Sequence, residues 1–174
     1  MKLRILGLLA FVVLAAPIPA HADLIGANVF GTLAFSFPPG SGQFWSPQNA
    51  VVGAGIEYSY TDGANDDQAN FTGTQLIITD NVKAGANGWK MTFQSIAFLG
   101  AAFGEVSDNF TSGGVNGSLV GDLLTFTWVG TDASPGLLTA VYNITPAAVP
   151  EPATLLLLGT GLGMGALRRR MKRT

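Results

Sequence analysis

The segment SLVGDLLTFTW, residues 118–128, carries the pattern that decides the fold. Leu124, Phe126 and Trp128 alternate with threonines, so one face of an extended strand is apolar and the other is polar. A Gly-Asp pair at 121–122 separates this strand from the preceding apolar residues and is typical of a two-residue hairpin turn. The segment therefore predicts an antiparallel hairpin that covers a core on one side.

The same alternation recurs along the chain between clusters of turn-forming residues. It predicts strands over residues 28–37, 56–61, 74–80, 89–94, 118–120, 123–128 and 138–144, with turns at 62–67, 85–88 and 112–114. Residues 96–103 are a continuous apolar run, which is compatible with a buried strand or a short helix. With about eight strands and no amphipathic helix, we expect residues 23–148 to be all-β, as a β-sandwich or a jelly-roll-like fold.

Aromatic residues occupy the apolar positions of several strands. Trp89 and Trp128 are predicted to pack in the core. In the second strand the alternation predicts that Ile56, Tyr58 and Tyr60 face the core and that Glu57 lies on the polar face.

The charge of the chain is segregated between its middle and its ends. Residues 23–148 contain ten acidic residues against Lys83 and Lys90, a net charge of −8, whereas both ends are basic. An acidic segment of this kind cannot neutralise phosphates, which excludes nucleic acid as a partner. The chain contains no cysteine, which excludes disulfides and thiolate chemistry.

Residues 1–22 are typical of a secretory signal peptide. A short basic region precedes an apolar run of twelve residues, 5–16, which is too short to span a bilayer. Small residues at Ala20 and Ala22 fit signal peptidase and predict that the exported chain begins at Asp23.

The C-terminal residues 149–174 have three consecutive parts. The first is an extended proline-bracketed motif formed by Val149, Pro150, Glu151 and Pro152. The second is an apolar stretch, residues 153–167, which predicts a single transmembrane helix. The third is a basic tail that contains Arg168, Arg169 and Arg170. Its charge predicts a cytoplasmic end, with the domain before the motif outside the inner membrane.

This tripartite tail closely resembles the PEP-CTERM sorting signal of Gram-negative bacteria. The resemblance implies that an exosortase, an integral-membrane cysteine protease, recognises the tail. It also implies a transient stay at the inner membrane, followed by release to the cell surface or the extracellular matrix. The family resemblance further links such proteins to exopolysaccharide, which suggests a structural or adhesive role.

The sequence of residues 23–148 is compatible with three functions: a structural or adhesive protein, a carbohydrate-binding module and a glycan-active enzyme. No catalytic residue is predicted, because the single histidine, His21, leaves with the signal peptide and a serine–histidine pair is then impossible. An aromatic pair on a proline-rich loop, Phe44 and Trp45, suggests a carbohydrate-binding module as the alternative to a structural protein. The third hypothesis is a glycan-active enzyme that uses Glu57 or Glu105.

One acidic segment leaves a metal ion open. Residues 62–67, with three aspartates and an asparagine, supply several oxygens that calcium could use. Their spacing does not match an EF-hand, and the same composition is ordinary in turns. We therefore expect no cofactor, with calcium as the alternative.

Overall fold

Strands dominate the part of the chain that the structure describes. The structure is a computed structural model, and it describes residues 23–35, 40–46, 48–132 and 134–147. Every strand pairing within these residues is antiparallel, and the strands form two sheets. The all-β prediction is confirmed.

The first sheet contains six strands. Their bounds are β1 Asn28–Phe35, β2 Gly40–Gly42, β3 Asn49–Val51, β7 Ala86–Gln94, β9 Asn116–Val120 and β10 Leu123–Asp132. The order is β2-β1-β7-β10-β9, and β3 also pairs with β1. The hairpin predicted at residues 118–128 is confirmed, because Val120 lies opposite Leu123 and Gly121 adopts the positive φ of 63° that the tight turn requires.

The second sheet contains five strands. Their bounds are β4 Tyr58–Thr61, β5 Asn65–Phe71, β6 Gln75–Val82, β8 Ala102–Asp108 and β11 Gly136–Thr145. The order is β4-β5-β6-β11-β8, so β4 and β8 are the two edges of the sheet.

The core lies between the inner faces of the two sheets and is rich in aromatic rings. Trp89 and Trp128 are fully buried, as predicted. Tyr58 of the second sheet packs against Phe93 of the first, with 5.2 Å between ring centroids. The Tyr58 hydroxyl donates a hydrogen bond to the Val29 carbonyl at 2.6 Å, which satisfies a polar group in the apolar interior.

Three local predictions are wrong. Residues 65–71 form strand β5, although the aspartates at 66 and 67 had indicated a turn. Strand β7 begins at residue 86, inside the segment 85–88 that predicted a turn. Ile56 is 50% exposed and Glu57 is buried, because β4 begins only at Tyr58 and the alternation does not extend before it.

The ambiguous run 96–103 divides between two elements. A short 3₁₀ turn covers Ile96–Phe98, and Ser95 caps it by accepting a hydrogen bond from the Ala97 N–H. Strand β8 begins at Ala102. The predicted signal peptide, residues 1–22, and the predicted transmembrane helix, residues 153–167, lie outside the described residues. None of the described elements is a helix that is long and apolar enough to cross a membrane.

Candidate functional site

The acidic segment 62–67 does not gather its three carboxylates. Asp62 shapes the turn before β5, because its Oδ1 accepts hydrogen bonds from the Ala64 and Asn65 N–H groups, each at 2.7 Å. Asp66 lies on the outer face of β5 and forms an ion pair with Lys83, with 2.7 Å between Oδ2 and Nζ. Asp67, the next residue, points to the opposite face and is buried.

The carboxylates of this segment therefore do not form a calcium-binding site as they are arranged in the structure. Among the residues that the structure describes, no group of three or more acidic or histidine side chains could hold a metal ion. The expectation of no cofactor stays a prediction.

The Asp67 side chain points into the interior, where Asp80 of β6 is also buried. We call these two residues, Asp67 of β5 and Asp80 of β6, the aspartate pair. The two residues lie directly opposite each other in the β5–β6 ladder, and each is only 1% exposed. Directly opposed residues have Cβ atoms roughly 4.5–5.5 Å apart, so the two carboxyl groups are neighbours. Neither carboxyl oxygen of either residue has a hydrogen-bond partner within the described part of the chain.

The surroundings of the aspartate pair favour its neutral, protonated form. Burial raises the pKa of Asp67 to about 8, and Asp80, Asp62 and Asp66 add negative charge that raises it further. Burial also raises the pKa of Asp80 to about 7, while the nearby Trp89 indole N–H opposes part of the shift. The indole Nε1 of Trp89 is buried and, like the four carboxyl oxygens, has no hydrogen-bond partner among the described residues.

The two aromatic residues of the loop predicted to bind a ligand differ in exposure. Phe44 is buried and packs against Tyr58 and Phe93, with ring centroids 5.2 and 6.1 Å away. Trp45 is 72% exposed, and its backbone N–H donates to the Ser59 carbonyl. Trp45 is therefore the ring of this pair that a ligand can reach.

Glu57 and Glu105, the candidate catalytic residues of a glycan-active enzyme, lie far apart. Glu57 immediately precedes edge strand β4, whereas Glu105 lies on the opposite edge strand, β8. Four interstrand spacings separate these edges, roughly 19 Å at about 4.8 Å each. That separation is well beyond the roughly 5–9.5 Å between the paired carboxylates of glycosidases.

Glu57 instead has a bonding role inside the fold. Its Oε1 accepts a hydrogen bond from the Gly53 N–H at 2.9 Å, and its Oε2 accepts one from the Phe71 N–H at 2.7 Å. The carboxylate thereby ties the loop before β4 to the end of β5. Glu105 is exposed.

Sequence reasoning missed the aspartate pair, although one signal was present. In β6, Leu76, Ile78, Asp80 and Val82 are the buried residues of a regular alternation, so Asp80 occupies a core position. An acidic residue at an apolar position of a strand indicates a buried carboxylate.

Most of the predicted sorting and cleavage residues lie outside the described part of the chain. This holds for Ala20 and Ala22 before the predicted cleavage point, for the motif at residues 149–152 and for the arginines at 168–170. Asp23, the predicted first residue of the exported chain, is exposed, and its carboxylate accepts a hydrogen bond from the Ile25 N–H at 3.1 Å.

The all-β domain and the tail that follows it define a class of protein, an exported β-domain with a C-terminal sorting signal. The family model of the PEP-CTERM protein-sorting motif matches residues 148–170, which confirms the predicted sorting signal. The motif indicates an extracellular protein that is exported to the cell envelope or surface and processed by an exosortase. None of the curated proteins matches the chain.

Proposed function

We propose that this exosortase substrate is a non-catalytic structural or adhesive protein of the cell surface or extracellular matrix, associated with exopolysaccharide. The observation that supports it is a row of hydroxyl groups on the outer face of the first sheet. Thr32, Thr92, Thr125 and Ser118 lie side by side on β1, β7, β10 and β9. The row crosses four strands, a width of roughly 14 Å at about 4.8 Å per strand.

The chemistry of this hydroxyl row suits an uncharged polymer. Thr32 and Thr92 are near enough to share a hydrogen bond, with 2.5 Å between their Oγ1 atoms. Phe30 and Leu123, two residues away along their strands, are partly exposed on the same face. Sugars offer hydroxyl edges and apolar C–H faces, which match this combination of hydroxyl and apolar side chains.

The test is binding of the purified chain, in non-ionic detergent, to exopolysaccharide extracted from the host. Replacing Thr92 and Thr125 by valine removes two central hydroxyl groups and should lower the retained fraction several-fold. The matched control replaces Thr79 and Thr139, a directly opposed pair on the outer face of the second sheet, by valine. Equal binding by both double variants would contradict a role for the row, and no binding by the unchanged chain would contradict the association itself.

The same samples test the absence of catalysis. The separation of Glu57 and Glu105 supports a non-catalytic role, because neither glutamate has the other as a partner across a substrate. Incubation with the extracted polysaccharide should release no new reducing ends. Release that disappears when either glutamate is replaced by glutamine would establish an enzyme instead.

Trp45 supports the second candidate function, a carbohydrate-binding module. Its ring is 72% exposed, while the buried Phe44 fixes the backbone beside it. Exposed aromatic rings on a fixed backbone bind sugars by stacking on their apolar faces. On a glycan array, binding that vanishes for Trp45→Ala but persists for the double valine variant at 92 and 125 would favour this module over the hydroxyl row.

A further inference from the structure

Among the residues that the structure describes, the aspartate pair has no counterion. Lys83 and Lys90 are the only basic residues between 23 and 147. Lys83 is paired with Asp66 on the outer face, and Lys90 is exposed on the strand position next to the buried Trp89. Two ionised carboxylates would therefore be buried side by side without compensation, which is strongly unfavourable.

The other charged groups near the aspartate pair make ionisation harder. Asp62 in the preceding turn and Asp66 on β5 raise the pKa of both Asp67 and Asp80. Asp132, at the end of β10, acts on Asp80 in the same direction.

The remaining neighbours of the pair within the described part of the chain are uncharged. On β4, Tyr60 lies opposite Asp67, and its own pKa is raised by burial and by the nearby aspartates. On β11, the apolar Leu138 lies opposite Asp80. On β7, Trp89 offers only an indole N–H.

A metal ion fits this environment less well than a proton. Calcium requires six to eight oxygen ligands, and the aspartate pair supplies four. The Trp89 N–H beside Asp80 is a hydrogen-bond donor, which suits a carboxyl oxygen and cannot bind a cation. A proton from solvent needs only one oxygen from each carboxyl group.

We infer that Asp67 and Asp80 hold at least one proton between them at neutral pH, and that this proton-binding pair makes the stability of the β-sandwich depend on external pH. One protonated carboxyl group donates a hydrogen bond to its neighbour, so one oxygen of each group acquires a partner. The inference rests on the fold and is independent of sorting and of any polysaccharide ligand.

The direction of the pH dependence follows from linkage. The pKa values of both groups in the folded chain, about 8 and about 7, lie above the unfolded value of about 3.9. The folded state therefore binds more protons, and the stabilisation is fully present below pH of about 4 and is lost as the pH rises through about 7 to 8. The protein should be more stable in a mildly acidic medium than in an alkaline one.

The experiment follows the melting temperature of the full chain in non-ionic detergent from pH 5 to pH 9. The unchanged protein should lose roughly 5–15 °C over this range. Asp67→Asn and Asp80→Asn should each flatten the profile, and the double variant should flatten it most. Asp122→Asn is the matched control, because this carboxylate lies in the turn between β9 and β10 and is not among the groups that raise the pKa of Asp67 or Asp80, so the slope should stay unchanged.

A spectroscopic measurement keeps the test decisive if a variant fails to fold. Infrared difference spectra of the unchanged chain should show a protonated carboxylic acid band at pH 6 that disappears by pH 9. A melting temperature that is constant from pH 5 to pH 9, or parallel profiles for all variants, would overturn the inference. Calcium chloride at pH 8 that stabilises the unchanged chain but not Asp80→Asn would overturn it as well, by showing a cation site.

Discussion

Replacing Glu57 by alanine tests whether this buried carboxylate stabilises the fold. Its two oxygens accept hydrogen bonds from the Gly53 and Phe71 N–H groups. Hydrogen bonds to a charged group contribute about 1.5–3 kcal/mol each. Because the Gly53 amide is only partly buried and can meet water, we expect Glu57→Ala to lower the free energy of unfolding by about 3 kcal/mol. For a domain of this size the melting temperature should fall by roughly 10 °C.

The assay is thermal unfolding followed by circular dichroism, with two comparison variants. Glu57→Gln keeps the length of the side chain and one acceptor oxygen, so it should lose about 1–2 kcal/mol. Glu105→Ala removes an exposed carboxylate and should change stability by less than about 0.5 kcal/mol. Equal melting temperatures for Glu57→Ala and Glu105→Ala would refute the assignment of a structural role to Glu57.

Three further outcomes are expected. Gly117→Ala should lower the melting temperature by several degrees, a cost of about 1–3 kcal/mol, because the added Cβ would lie 2.7 Å from the Tyr142 ring. The control Gly104→Ala should have no effect, because no atom lies within 4 Å of a Cβ added there. Alanine at residues 150–152 should stop exosortase processing, since the recognition motif is lost while the apolar stretch remains, and intact-mass measurement should find the full precursor in membranes. Glutamate at residues 168–170 should weaken membrane retention, because the positive cytoplasmic end is lost, and a wild-type protein that still carries this tail at the cell surface would contradict sorting by cleavage.

The fold was predictable where the side-chain pattern displays the sheet directly. In β10 and β11 buried residues alternate without exception with less buried ones over residues 123–128 and 138–144, so sequence alone indicates which face is the core. The sorting tail was predictable for a different reason. Its signal depends only on the linear order of its parts, which needs no tertiary structure.

The aspartate pair was not predictable in the same way. Strand β5 has the sequence NDDQANF, in which polar residues stand at both buried and outward positions, so its alternation is hidden. That Asp67 meets Asp80 depends on the register between two strands, which local sequence does not specify. Glu57 was assigned to the wrong face because the strand begins at Tyr58, two residues later than the pattern suggested.

The position of β11 has a mechanical consequence. This last strand of the described domain lies inside its sheet, paired with β6 on one side and β8 on the other, and the chain continues from it to the sorting motif. Tension applied to the C-terminal side of the domain therefore acts along β11 and loads both hydrogen-bond ladders in shear. An edge strand would be peeled from one neighbour, one bond after another. We therefore expect the pairing of β11 on both sides to make the domain resist a force applied at the end where the sorting signal is attached.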